Sequence, residues 1–418
     1  MNNSAPQQFS EFVAALRTAT YDQYKSFPDA AVSSEEAFEE MRAYLLEYYG
    51  DMVVQTSHRD DDGQIVDFVP THSHPCVRRN GGPLYVTTPQ PVPAGGAATE
   101  IAEKRPAAPE SRVRSSILGR DAKLARPSDT VPLYRVTLEQ LARFETLADF
   151  SAKKQAPPMA VLAGGTDFLP KRYATGEQDI RNAGGGSVVS VWTPVAAPGF
   201  QESYGQQWYL GGVNGTWLQT VECGWHVDLA RYRDMNPHLF VYATRRNYDR
   251  GHSFFNFDGG AFVPVTGASV QPGVGLFSSQ IGGADVAYRM GFWLVDGFWV
   301  FYFDGEPIGG YPLTWFTVDG QDGPMTSGAD RIKFGGEVGN ALPEWPAMGS
   351  SRKAHEGYGK AAYHRGAFVT GHDGVAQWTQ LSEAGSVVGN CFSVDIHNTT
   401  DPDWGSYLFY GGRGGPGC

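Results

Sequence analysis

Two glutamates stand in places where a carboxylate is costly. Glu222 lies inside Thr220-Val221-Glu222-Cys223-Gly224-Trp225-His226-Val227, and Glu337 inside Phe334-Gly335-Gly336-Glu337-Val338-Gly339-Asn340. In such apolar, aromatic or Gly-rich runs a carboxylate must be paired, hydrogen-bonded or protonated. Two of them in one chain suggest an acid/base pair. Side chains alternate along a strand, so Val221, Cys223 and Trp225 share one face while Glu222, Gly224 and His226 share the other. By the same rule Gly335, Glu337 and Gly339 lie opposite Phe334, Gly336 and Val338. Each carboxylate is therefore expected on an open, glycine-flanked face, with Gly224 leaving room for a ligand. Taken singly, either glutamate also reads as a solvated edge residue that discourages aggregation.

The elements that must position them change character along the chain. Phe9, Phe12, Val13 and Leu16 recur at helical spacing, and Ser33 with Glu36 makes a capping box for a second helix. That helix carries the stripe Phe38, Met41, Leu45, Tyr48 and ends at Gly50. Short strands are expected over 51–56 and 64–70, joined by the turn Asp60-Asp61-Asp62-Gly63. Residues 1–86 thus read as a small α+β unit. Residues 87–130 carry Pro89, Pro91, Pro93 and a scatter of basic residues (Lys104, Arg105, Arg112, Arg114, Arg120, Lys123, Arg126) without periodicity, the marks of a solvated linker. A third helix is capped by Thr137 with Gln140 and lined by Leu138, Leu141, Phe144 and Leu147. Lys153-Lys154-Gln155-Ala156-Pro157-Pro158 then ends it and reads as an exposed, protease-sensitive joint.

Beyond residue 160 helical signals nearly vanish. Aromatic and β-branched runs follow one another at 187–192, 206–211, 217–227, 239–244, 261–265, 288–295, 298–303, 331–338 and 361–369. A mainly β protein follows, with a two-sheet antiparallel β-sandwich over 159–418. The runs Gly184-Gly185-Gly186 and Gly273 to Gly283 lack a following helix, so loops are expected there and not phosphate cradles.

Composition excludes other classes. A formal charge of -12, with no basic stripe, argues against a nucleic-acid partner. No apolar run approaches the ~20 residues of a membrane span, and Met1-Asn2-Asn3-Ser4-Ala5-Pro6 shows no basic or apolar signal region. Either the protein stays inside the cell or a signal has been removed. Cys76, Cys223, Cys391 and Cys418 fit no metal spacing, and no metal or cofactor is expected. Cys391 and Cys418 are candidates to clip the C-terminal tail; Cys76 and Cys223 have no derivable role. His72-Ser73-His74 offers a candidate acid trigger, since protonation near the ordinary histidine pKa would charge the N-terminal unit.

The order of these segments resembles the neprosin-like glutamic endopeptidases. The resemblance rests on Asp129-Thr130-Val131-Pro132-Leu133-Tyr134-Arg135, on Val189-Ser190-Val191-Trp192-Thr193-Pro194, on Gln206 to Leu210, and on the Glu222 run with Leu239-Phe240-Val241-Tyr242. It continues through Gly310-Tyr311-Pro312, Phe334 to Asn340, Met348-Gly349-Ser350, Gly357 to Tyr363 and Tyr410-Gly411-Gly412. The resemblance implies an extracellular zymogen, its propeptide ending within 87–158, activated near 153–165 and inhibited by that propeptide until then. It implies that Glu222 and Glu337 are the catalytic pair, that substrates are proline-containing peptides or proteins cut at acid pH, and that Cys391 and Cys418 pair. Where plant members carry another cysteine pair, this chain has Gly251-His252-Ser253-Phe254-Phe255 and Asp258-Gly259-Gly260.

In that chemistry one glutamate takes a proton from water while the other polarises the scissile carbonyl, so the pair works singly protonated. Gln206 is a candidate oxyanion donor, or an amide satisfying a strand edge. Trp208, Trp225 and Tyr311 are candidates to pack a prolyl ring, or core residues. Pro157 and Pro158 make self-cleavage at the joint an expectation. Two other readings use the same features: a β-sandwich glycoside hydrolase with two carboxylates, and a lectin-like binding module without catalysis.

Overall fold

The computed structural model describes residues 6–94, 113–115, 117–118, 127–151, 153, 170–196, 201–213, 215, 217–340, 342–384, 391–401 and 403–418. The expected joint beyond Lys153, with Pro157 and Pro158, lies outside them, as do Lys104, Arg105, Arg112, Arg120, Lys123 and Arg126.

The N-terminal unit contains helices α1 (Phe9–Thr18), α2 (Tyr21–Tyr24), α3 (Glu35–Tyr49) and α4 (Pro75–Arg79), with strands β1 (Thr56–Arg59) and β2 (Ile65–Pro70). Helix α3 buries Phe38, Met41, Leu45 and Tyr48; each such side chain contributes roughly 1.5–3 kcal/mol of burial. Its cap is Ser34, whose hydroxyl accepts from Ala37 N, one residue later than the spacing of Ser33 and Glu36 suggested. The first strand also starts later than expected, at Thr56, because 52–54 is not paired. A third strand, β3 (Thr130–Tyr134), joins from beyond the linker. The sheet is pinned by Asp67 and Arg135, whose side chains are fully buried and bonded at 2.5 and 2.8 Å.

The linker is less free than its composition implied. Arg114 pairs with the buried Asp62 carboxylate at 2.9 Å, and Val113, Ile117 and Leu118 are buried. Upstream, Thr88 O accepts from Tyr302 OH and Gln90 donates to Gly185 O, strapping this stretch to the second unit. The single helix expected over 138–147 is two: α5 (Leu138–Leu141), with the Thr137/Gln140 capping box, and α6 (Leu147–Ser151). Thr146 breaks the run because its hydroxyl caps a new helix at Asp149 N.

The rest is a sandwich of two antiparallel sheets. In chain order its strands are β4 (Lys171–Asn182), β5 (Gly184–Ser190), β6 (Gln201–Gly211), β7 (Gln219–Val227), β8 (His238–Thr244), β9 (Ser253–Phe255), β10 (Val263–Pro264) and β11 (Ala287–Val295). They continue with β12 (Phe298–Phe303), β13 (Glu306–Pro312), β14 (Thr317–Val318), β15 (Gln321–Asp322), β16 (Ala329–Asn340), β17 (Glu344–Trp345) and β18 (Ala362–Thr370). The last are β19 (Ala376–Trp378), β20 (Ser382–Ala384), β21 (Ser393–His397), β22 (Ser406–Gly411) and β23 (Gly415–Pro416). One turn of helix, α7 (Leu229–Tyr232), is capped by Asp228. The seven-stranded sheet runs β20-β4-β16-β6-β7-β8-β9, and the nine-stranded one β10-β13-β12-β11-β5-β18-β22-β21, with β19 on β18; β14 with β15 and β17 with β23 form separate two-stranded ribbons.

The Gly184-Gly185-Gly186 run is strand β5 and not a loop. Glycine is required there by crowding, since a Cβ at Gly185 would strike the Phe368 carbonyl. Between the sheets lie Val221, Cys223 and Trp225 of β7, and Phe334 and Val338 of β16, all buried. Trp225 donates its indole N–H to Ser190 O and Tyr209 its hydroxyl to Gly185 O, across the layers. The opposite face of β6, β7 and β16 receives the side chain of Lys153, from the segment after α6. Cys391 and Cys418 form a disulfide with Cα atoms 5.6 Å apart, while Cys76 and Cys223 are free and buried. Among the described residues no helix is long and apolar enough to cross a membrane, and no group of side chains has the makings of a metal site.

Candidate active site

Alternation puts Glu222 of β7 and Glu337 of β16 on one face of the seven-stranded sheet, with β6 between them. In register, Glu222 stands beside Trp208 and Glu337 beside Tyr204. Gln206 lies between those two on β6, and its amide donates to Glu337 Oε2. Two strand spacings, ~10 Å at the backbone, thus separate two carboxylates whose side chains converge on one point.

That point is filled by a cation. The ammonium of Lys153, two residues past α6, lies 2.6 Å from Glu222 Oε2 and 3.1 Å from Glu337 Oε2. It also donates to Gln206 Oε1 at 3.3 Å. Aromatic rings surround it, with centroids of Tyr204, Tyr242 and Trp208 at 5.0, 5.4 and 5.7 Å. The residue expected in an exposed joint is therefore buried in the site: its side chain is 9 % exposed, against 0 % and 2 % for Glu222 and Glu337.

The two carboxylates are supported differently. Glu222 Oε1 accepts from two neutral hydroxyls, Tyr248 OH at 2.7 Å and Thr220 Oγ1 at 3.0 Å. Tyr248 reaches it from a left-handed backbone (φ 61°), a conformation costly for a bulky residue, held by Thr244 Oγ1 on Tyr248 N. Glu337 Oε1 instead faces a second cation, Lys171 of β4, at 3.2 Å. Lys171 also pairs with the buried Glu202 of β6, which accepts Tyr204 OH at 2.7 Å. Burial pushes the Glu337 carboxyl up, but the charges of Lys153 and Lys171 outweigh it and hold it down at about 2. Burial likewise pushes Lys153 down, and the two glutamates reverse it and raise it. Both members are thus held charged, as a buried ion pair must be.

Other expected residues fall elsewhere. Trp208 is on the site face, beside Lys153. Trp225 is on the core face of β7, and Tyr311 is buried on β13 of the other sheet against Phe262, Phe292 and Trp315, so neither lines the site. Gly224 leaves no ligand space, because a Cβ there would strike the Gly205 carbonyl of the neighbouring strand. His226 belongs to an aromatic cluster with Tyr204, Phe240 and Phe255. His74 is buried, with its pKa held down at about 3, so it adds no charge near pH 6.5, and His72 is exposed. Lys153, Lys171, Glu202 and Tyr248 carried no local signal in the sequence beyond their charge or ring.

The segment leading to Lys153 is docked. Arg231 of α7 pairs with Asp258 at 3.0 Å, places its guanidinium 4.2 Å from the Phe150 ring and donates to Phe150 O. Asp149 pairs with Arg250 at 3.2 Å, Arg143 donates to Ala230 O at 3.0 Å, and Lys153 N donates to Tyr242 OH at 3.4 Å.

Comparison with known proteins gives a match to the family model described as Neprosin over residues 199–413. Among solved structures, the chain is similar to a scytalido-glutamic peptidase with a transition state analog inhibitor. Identity is 8 %, the TM-score is 0.33, and the match covers 59 % of this chain and 99 % of that one. SCP-B, a member of the Eqolisin family of peptidases in a complex with the tripeptide Ala-Ile-His, matches at 8 % identity and TM-score 0.29, over 59 % and 99 % of the two chains. The kappa-carrageenase from Pseudoalteromonas carrageenovora matches at 9 % identity and TM-score 0.22, over 58 % and 67 %.

Proposed function

Because this chain belongs to the Neprosin family, we propose that it is a glutamic peptidase, that Glu222 and Glu337 are its catalytic pair, and that the chain is a zymogen latched by Lys153. The observation that carries the reading is the convergence of two buried glutamates from strands β7 and β16 on one ammonium supplied by the N-terminal segment. A cation between two carboxylates keeps both ionised and keeps water and substrate out. When Lys153 leaves, two close carboxylates without it share a proton, which favours an acid working range. A water between them is then positioned for attack: one glutamate takes its proton and the other protonates the carbonyl oxygen, with the Gln206 amide as donor to the developing oxyanion. The box of Tyr204, Trp208 and Tyr242, emptied of the ammonium, offers flat apolar faces suited to a prolyl ring. An extracellular setting fits the Cys391–Cys418 disulfide.

The test is incubation of the full-length protein at about pH 4 and pH 7 with a proline-containing peptide, beside Glu222→Gln and Glu337→Gln. Mass spectrometry follows both the chain and the peptide. Trimming near 153–165 and peptide cleavage by wild type alone, at acid pH, is the expected result. Equal behaviour of all three proteins would sink the proposal.

A further inference from the structure

The two glutamates are held by groups of different kinds, and this division resolves which of them is the base. We propose that Lys171, steadied by Glu202, is a built-in counter-cation that keeps Glu337 ionised in the mature enzyme, making Glu337 the general base and Glu222 the proton carrier. The assignment rests on the peptidase reading above.

Lys171 belongs to β4, the first strand of the sandwich, and not to the segment that carries Lys153. Departure of Lys153 therefore removes one of the two cations on Glu337 and leaves the other in place. The ammonium of Lys171 is pinned from both sides, by Glu202 and by Glu337, and its side chain is 14 % exposed. Glu202 has no other evident use: it is fully buried, and its second oxygen is bonded to Tyr204 OH. A carboxylate so placed is costly unless it serves a cation.

Among the described residues Glu222 forms no ion pair besides the one with Lys153. The hydroxyls of Thr220 and Tyr248 can turn to donate or accept, so they tolerate either protonation state, whereas an ammonium tolerates only the carboxylate. The remaining charged groups facing Glu337 do not reverse this. Lys333, from the same strand as Glu337, lies over the rings of Tyr173 and Trp208 at 4.8 and 5.4 Å; burial lowers its pKa, and of the two dyad carboxylates it is coupled more strongly to Glu337 than to Glu222. The phenols of Tyr173 and Tyr204 are pushed up by burial and stay protonated. Three glutamates (Glu202, Glu222, Glu337) against Lys171 and the more distant Lys333 leave one negative charge in excess and favour one added proton, and the carboxylate without an ion-pair partner is where it rests.

The steps then balance. Glu337 takes a proton from water while the hydroxide adds to the carbonyl carbon and Glu222 gives its proton to the carbonyl oxygen. As the C–N bond breaks, Glu337 passes its proton to the leaving nitrogen. A hydroxyl of the diol returns one to Glu222, releasing a carboxylic acid and an amine.

The test uses the full chain, matured in its own acid reaction, with kcat and KM measured against pH on a proline-containing peptide. Lys171→Met is expected to move the acid limb of kcat/KM up by about one to three pH units, the effect of a neighbouring unit charge on a carboxylate. At the wild-type acid limb it lowers kcat tenfold or more, with a smaller change in KM. Lys171→Arg restores the limb. Lys171→Met with Glu202→Gln removes the charges as a pair, guards against misfolding caused by an unpaired Glu202, and shows the same displacement. Tyr248→Phe leaves the acid limb where it was. If wild type cuts the peptide, both dyad variants are dead and Lys171→Met keeps the wild-type limb, the assignment is overturned while the peptidase reading stands. If the dyad variants cut like wild type, both fall.

Discussion

Lys153 Nζ lies 2.6 Å from Glu222 Oε2, and neither group reaches solvent appreciably. Removing the lysine alone strips a buried pair of one partner, a change that typically costs about 3–5 kcal/mol. Lys153→Met in the full-length protein is therefore expected to weaken docking of the N-terminal segment and to speed maturation. Time courses of the intact chain at pH 5, where wild type should persist longer, check this directly. Unchanged maturation would argue against the latch.

Acid should loosen the same contact. The Glu337 carboxyl, at about 2 when Lys153 and Lys171 are docked on it, sits below its ordinary 4.5. A lowered carboxylate contributes stability that is complete above its unfolded value and is lost as pH falls from about 4.5 toward 2. The difference amounts to about 3 kcal/mol. The melting temperature of the full-length Glu222→Gln protein, which should not cut itself, is expected to fall between pH 6 and pH 3. Adding Lys153→Met should flatten that fall.

In the N-terminal unit, Asp67 and Arg135 are each other's main charge partner, with Arg135 also stacked at 5.0 Å on Phe12. Arg135→Met leaves Asp67 buried and unpaired and should cost about 3–5 kcal/mol in denaturant unfolding. Changing both to apolar residues of similar volume should recover much of the loss. Equal losses in the single and double variants would mean the pair is incidental.

The Cys391–Cys418 disulfide closes a separation of 27 residues. Chain-entropy arguments give such a loop roughly 3.5 kcal/mol of stabilisation. Cys391→Ser with Cys418→Ser should lower the unfolding midpoint accordingly while leaving the proposed Glu222/Glu337 pair able to cut peptide below the new transition.

The readable part of the site was its alternation. Glu222 and Glu337 each stand in runs whose core-facing neighbours are apolar, Val221 and Cys223 for the first and Gly336 and Val338 for the second, so the odd carboxylate announces a special face. Strand β4 was missed because Lys171, Arg172, Glu177, Gln178 and Asp179 make it resemble a surface loop; a strand lining a polar cleft and an exposed edge loses the apolar half of its pattern. Alternation puts Trp225 on the face away from Glu222, as observed, and Tyr311 stands on the other sheet, so nearness to a motif in the sequence brings neither aromatic into the site. Lys153 was legible only as a charge in a proline-bounded joint. Its place between two carboxylates 69 and 184 residues away is a product of tertiary packing.

The N-terminal unit is tied down by far more than Lys153. Asn80 donates to Gly260 O, Leu84 bridges Val265, Thr88 O accepts Tyr302 OH, and Gln90 donates to Gly185 O. A single cut beyond Lys153 would leave all of these contacts standing. On the zymogen proposal, scission and activation are then separate events, and the immediate product of the cut is expected to be a nicked, still inhibited complex. What has been a tethered arm at high effective concentration becomes a dissociable one, so the onset of activity after the cut should depend on dilution.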